Sequence, residues 1–162
     1  MTTVTPSQIV SKIVEVITGL TPAATPSSNY GFLENPTRNG QLRSWPIRAG
    51  SERIFRLFEV EVGRRDDVGL NQPGVTYCNL AMSVTIAYPS AYTLRGYDSF
   101  RDVAEIISAD AQQIRNALAL PSALVGPGHD ALIPTIQQVQ RGNDAVWFQD
   151  ISLVAKFYVA TV

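Results

Sequence analysis

The chain has 162 residues, 45% hydrophobic and 17% charged, with a formal net charge of -1. This length forms one domain, 1–162, that buries roughly 70% of the surface its unfolded form exposes, and the composition excludes disorder. The balanced charge supplies no positive field for nucleic acid phosphate, and a single cysteine, Cys78, excludes an intrachain disulfide or a Cys-based metal site.

The first element is a helix. Thr5, Pro6 and Gln8 form an N-cap, a proline at the first helical position and the distal half of a capping box. Ile9, Ile13, Val16, Ile17 and Leu20 follow at three- and four-residue spacing, and Gly19 and Pro22 mark the exit. The β-branched content lowers intrinsic helix propensity, so packing on a partner surface must hold this helix. Residues 1–19 carry no basic leader ahead of an unbroken apolar run, and no segment approaches the ~18 apolar residues of a membrane span, so neither export nor a membrane partner is expected.

Residues 21–40 are rich in Pro, Ser, Thr, Asn and Gly and read as a long surface loop, a length that favours function or ordering by a partner, although a loose solvated connection explains it equally. Strand character begins over 42–47 and resumes over 53–62, where Phe58, Val60 and Val62 alternate with Glu59 and Glu61. Cys78, Leu80, Met82, Val84 and Ile86 then define one face of the clearest strand. The connection 63–74 far exceeds a minimal hairpin loop and is expected to project as an arm. Its pairs Arg64, Arg65 and Asp66, Asp67 suit contacts with a neighbouring copy; a mobile, solvated tip explains them equally.

Asp98 caps a second helix running to about Ala119, with Phe100, Val103, Ile106, Ile107, Ile114 and Leu118 on one stripe and Pro121 ending it. A second hairpin follows, with strands over 133–140 and 145–160 about the turn Arg141-Gly142-Asn143-Asp144. Trp147, Ile151, Leu153, Ala155, Phe157 and Val159 share its apolar face, which also receives an unexplained Gln149. The predicted class is α+β: two antiparallel hairpins in one sheet with two helices packed on it, in the order α-β-β-α-β-β.

No catalytic apparatus is legible. The one histidine, His129, lies in a loop-like Gly126-Pro127-Gly128-His129-Asp130 run, and no Gly-x-Ser-x-Gly elbow accompanies it. Gly126, Gly128 and Ala131 match a dinucleotide fingerprint in spacing alone, because a helix precedes and a strand follows. Glu59 and Glu61, roughly 7 Å apart on one strand face, fit paired carboxylates in spacing, but a solvated or intersubunit face explains them more simply. Asp66 and Asp67 lack further carboxylates at ligand spacing, so no metal is expected, no cofactor either, and the chain reads as a non-enzyme. Eleven Arg against two Lys suit charges held in protein contacts, although base composition of the gene accounts for the bias as well.

The element order, the Pro-rich segment after the first helix, the arm at 63–74 and the aromatic final strand resemble the tail terminator proteins of long-tailed bacteriophages. The resemblance covers nearly the whole chain and is carried by element order and size. It implies a virion structural protein of the tail and neck, assembled in the host cytoplasm. Such a protein forms a hexameric ring on the last tail tube ring, stops tube growth and offers a joining surface to the head connector or stopper. Arg64, Arg65, Asp66 and Asp67 are then candidates for contacts between copies, and Glu59 and Glu61 for a lumen through which DNA only passes. Another neck component, a connector or stopper, is the nearest alternative; a small hydrolase or ligand-binding domain built around His129 is the alternative from another class.

Overall fold

A computed structural model describes residues 4–23, 31–35, 56–88, 100–119, 129–136, 140–141 and 147–160, with the backbone alone at 70–72, 100–103, 129–134 and 140–141. Helix α1 spans Pro6–Thr18 and α2 spans Phe100–Ala119; the strands are β1 (Phe32–Glu34), β2 (Arg56–Gln72), β3 (Val75–Tyr88), β4 (His129–Ile136), β5 (Gln140–Arg141) and β6 (Trp147–Ala160). All the strands belong to one sheet ordered β1-β2-β3-β6-β4, with β5 also paired to β6. The class is α+β, as the sequence predicts.

Helix α1 starts where its sequence says it should. Gln8 N–H donates to Thr5 Oγ1 at 3.2 Å and Thr5 N–H donates to Gln8 Oε1 at 2.8 Å, so the capping box satisfies two otherwise orphaned donors. Ile9, Ile13 and Ile17 are buried. At about 1.5–3 kcal/mol per fully buried aliphatic side chain, this stripe outweighs the modest propensity of a β-branched helix. Val4 N–H donates to Tyr158 O at 3.1 Å and ties the approach to α1 onto the end of β6.

Both helices cover the same face of the sheet. One apolar cluster joins Ile9, Ile13 and Ile17 of α1 and Ile106, Ile107, Ile114 and Leu118 of α2 to Cys78–Tyr88 alternates on β3 and to Ile151, Leu153, Ala155 and Phe157 on β6. Phe100 and Val103, expected on the same stripe, fall where only backbone is described, and the expected cap Asp98 and strand 42–47 lie outside the described residues. The helices are also joined to each other's flanks: Gln113 Nε2 donates to Thr21 O at 2.7 Å, and Ala23 N–H donates to Gln113 Oε1 at 3.0 Å. Gln149 does lie on the core face, opposite Ile86, and is buried with its Nε2 donating to Asp150 O at 2.9 Å.

Four expectations require correction. The segment 63–74 is not a long connection, because β2 runs on to Gln72 and only Pro73 and Gly74 turn the chain. Pro73 followed by Gly74 at φ 82° fits a type II turn, whose third position requires a left-handed residue. β2 has 17 residues against 14 in β3, and the three extra residues are absorbed at three register shifts, between Val62 and Arg65, Asp67 and Gly69, and Leu70 and Gln72. Charge obscured this strand: where both faces are open, alternation of apolar residues is not required. Since β3 pairs with β6 along its whole length, the segment lies against a three-stranded ribbon and does not stand free.

The loop 21–40, in turn, contains β1, which pairs in parallel with β2 at Arg56, Leu57 and Phe58; three residues are too few to show a period. The first strand of the second hairpin is His129–Ile136 and not 133–140, and Gln140 and Arg141 form the separate short β5 opposite Phe148 and Trp147. Among the described residues the order is therefore α-β-β-β-α-β-β-β.

Candidate functional site: an open sheet edge and a buried polar cluster

β2 is paired on its inner side to β3, from Leu57 opposite Ala87 to Gln72 opposite Val75. On its outer side β1 reaches only Arg56–Phe58, and Asn35 N–H donates to Phe58 O at 2.7 Å. Beyond that bond the outer edge of β2 has no strand partner among the described residues. Residues 61–69 are exposed without interruption, including Val62 and Val68. A long edge strand with exposed valines is a template for pairing with another chain.

The residues singled out from sequence lie on this strand. Arg64 Nε meets Asp66 Oδ1 at 2.7 Å, and Arg65 Nε meets Asp67 Oδ1 at 2.9 Å with Nη2 to Oδ2 at 3.3 Å. The structure thus joins the four charges as two local pairs rather than as one cluster. Both pairs are solvated, so each contributes little to folding. Glu59 and Glu61 lie on the sheet face away from the helices, but in different surroundings: Glu59 is buried and accepts from Asn35 Nδ2 at 3.2 Å, whereas Glu61 is exposed.

That second face is open over one half. Tyr77, Asn79, Ala81 and Ser83 on β3 face Tyr158, Lys156, Val154 and Ser152 on β6, all half-buried or exposed. The Tyr77 and Tyr158 rings meet at 4.9 Å between centroids, a cross-strand aromatic pair standing outside the core. Toward the other end Leu57, Thr85, Ala87 and Phe148 are buried, and Thr85 Oγ1 donates to Asp150 Oδ1 at 2.8 Å.

Cys78 lies in the core, as its strand position predicts, with Sγ donating to Asp67 Oδ1 at 3.1 Å. Burial, and then the neighbouring Asp67 carboxylate, push the thiol up to about 11. Hydrogen bonds from Arg65 and then Cys78 hold Asp67 below the usual carboxylate range. Alkylation of native protein at pH 8 should therefore run at least about 10-fold slower than that of an ordinary thiol, because the thiolate fraction drops about 100-fold and the greater nucleophilicity of a more basic thiolate regains only part of that, before access is counted. Comparison of native and urea-unfolded labelling rates checks this, and equal rates in the two states would contradict the burial. The sign for stability follows: the folded state holds the thiol proton more tightly, so this group's contribution is lost as pH rises from 9.0 toward about 11.

The reading of the sequence missed a third feature. Arg56 at the head of β2 is fully buried, and its Nε donates to Asp110 Oδ2 in the middle of α2. Tyr88 Oη, at the end of β3, donates to the same oxygen at 3.1 Å, and the Arg56 guanidinium lies 5.7 Å from the centre of the Phe32 ring. Burial pushes Asp110 above the ordinary carboxylate range despite Arg56, and burial, then Asp110, push Tyr88 well up. Asp110 Oδ1 is buried without a partner among the described residues. The available signal was Asp110 itself, a carboxylate set within the stripe Ile106, Ile107, Ala111, Ile114, which can only be buried beside a donor.

His129 opens β4 opposite Phe157, which puts it at a strand end instead of in a loop; Gly126 and Gly128 lie outside the described residues. No three metal-ligating side chains come together among the described residues, and none of their helices is long and apolar enough to cross a membrane. Neither a known protein family nor a curated protein matches the chain.

Proposed function

We propose that this chain is a structural subunit of a phage virion, a tail terminator that forms a ring on the tail tube, stops its growth and offers a surface to the head connector or stopper. The observation that carries the reading is the outer edge of β2, which has no strand partner among the described residues from Val60 to Gln72. An edge of this length gives a neighbouring subunit main-chain donors and acceptors to complete, and six head-to-tail contacts related by rotation close into a ring. Among the described residues the helices lie on a single face of the sheet, and the open half of the other face can meet the tube or line a passage. Glu61 on that face keeps such a lumen neutral to acidic, which suits DNA that passes without binding.

The test is electron microscopy of the purified protein, alone and mixed with tail tubes, together with loss of its gene. Rings on tube ends and overlong tails in the mutant are the expected results. Tails of normal length would remove the reading, and DNA leaking from filled heads would move the protein to a stopper of the neck.

A further inference from the structure

We propose that two copies of this chain associate about a two-fold axis through Asp66 of β2, an interaction that uses the same strand edge as the ring contact of the proposed function and so competes with it, but that needs no tube. Arg64, Arg65, Asp66 and Asp67 are exposed, and Arg65 and Asp67 flank Asp66 with opposite charges, so that turning the strand end for end about Asp66 sets each of the two against its opposite. In an antiparallel pair, residues opposite one another share a face of the sheet. A two-fold axis normal to the sheet at Asp66 sets Arg65 of one copy opposite Asp67 of the second, and Asp67 opposite Arg65. These are the groups that already pair within one chain at 2.9 Å, so the second copy exchanges ion pairs without stranding a charge.

The register of β2 selects this axis. Arg65, Asp66 and Asp67 pair in unbroken sequence with Leu80, Asn79 and Cys78, between two register shifts, so this stretch has regular strand geometry. An axis through Arg65 requires Arg64, which lies within the first shift, and sets two Arg65 guanidiniums face to face. At the Asp66 axis the two Asp66 carboxylates meet, but each carries its own Arg64 at 2.7 Å. The shifts on either side confine regular pairing to a short length. The contact is therefore weak and held largely by charge, which makes it sensitive to salt.

Sedimentation velocity of the full chain over a concentration series, at about 0.02 M and about 0.5 M salt, tests this. The expected result is a monomer that shifts to a dimer with concentration at low salt and returns to monomer at high salt. Arg65→Asp abolishes the dimer, and Arg65→Asp combined with Asp67→Arg restores it, since the exchanged pair is again complementary; thermal unfolding of each variant confirms that it is folded. A wild-type protein that stays monomeric at low salt up to about 0.2 mM, well above the micromolar range of specific complexes, overturns the proposal. So does a dimer that survives Arg65→Asp, or a folded double variant that stays monomeric. Because no tube is present, these failures leave the ring reading untouched, and normal tail length on gene loss leaves the dimer untouched.

Discussion

Replacing Asp110 with Ala is expected to cost about 3–5 kcal/mol of folding stability, the range found when one partner of a buried ion pair is removed. The loss follows from what remains behind: Arg56 is fully buried and Tyr88 Oη is buried, and both donate to Asp110 Oδ2. Asp110→Asn keeps an acceptor for both donors while removing the counter-charge, so its cost is smaller, about 1–3 kcal/mol. Urea unfolding of the two variants measures the difference. An Asp110→Ala protein within about 1 kcal/mol of wild type would mean that Arg56 is neutralised elsewhere.

The same pair predicts a pH dependence of definite sign. Asp110 lies above its ordinary value of 3.8 because desolvation exceeds the attraction of Arg56. The folded state then holds the carboxyl proton more tightly than the unfolded chain, and this group's stabilising contribution declines as pH rises upward from 3.8 through the raised value. Asp110→Asn removes that slope. A buried ion pair is in general weak evidence of net stabilisation, because the desolvation of both charges offsets their attraction. The effect of this cluster is positional: Arg56, Tyr88 and Asp110 connect β2, β3 and α2 at one point, and only one placement of α2 lets the acceptor meet both donors.

The regular elements were legible wherever one face was buried. α1, the core face of β3 and that of β6 follow from the spacing of Ile, Val, Leu and Phe, and the capping box of α1 follows from Thr5 and Gln8. The distal half of β2 was not legible, because residues 63–69 have no buried face, the register of 63–72 is not constant, and the charges and glycines imitate a loop. β1 escaped because its partner, Arg56–Phe58, is remote in sequence and parallel. Arg56 escaped for a different reason: an arginine in a strand is ordinarily an outer-face residue, and its burial depends on a carboxylate 54 positions away. For the candidate surface, Glu59, Glu61 and the Arg and Asp pairs all fall on β2, but an unpaired edge is a property of pairing, which no single segment displays.

Proline substitutions on β2 should separate folding from assembly. Phe58 O faces outward, since it accepts from Asn35, and no register shift intervenes before Val62; by alternation the main-chain groups of Val60 and Val62 also point away from β3, while those of Glu59 and Glu61 point toward it. Val62→Pro therefore removes an N–H that has no intrachain partner among the described residues, on an edge where proline is tolerated. Its expected stability is within about 1 kcal/mol of wild type, whereas under the proposed terminator function the capping of tail tubes is lost, because the missing donor and the ring interrupt strand addition. Glu61→Pro removes a donor of the ladder to Ser83 and should destabilise the fold by more than about 1 kcal/mol. Thermal unfolding and tube-length distributions measured on the same two variants give the answer. If Val62→Pro is stable and still terminates tubes, subunits do not join through the edge of β2, and the open sheet face must supply the contact instead.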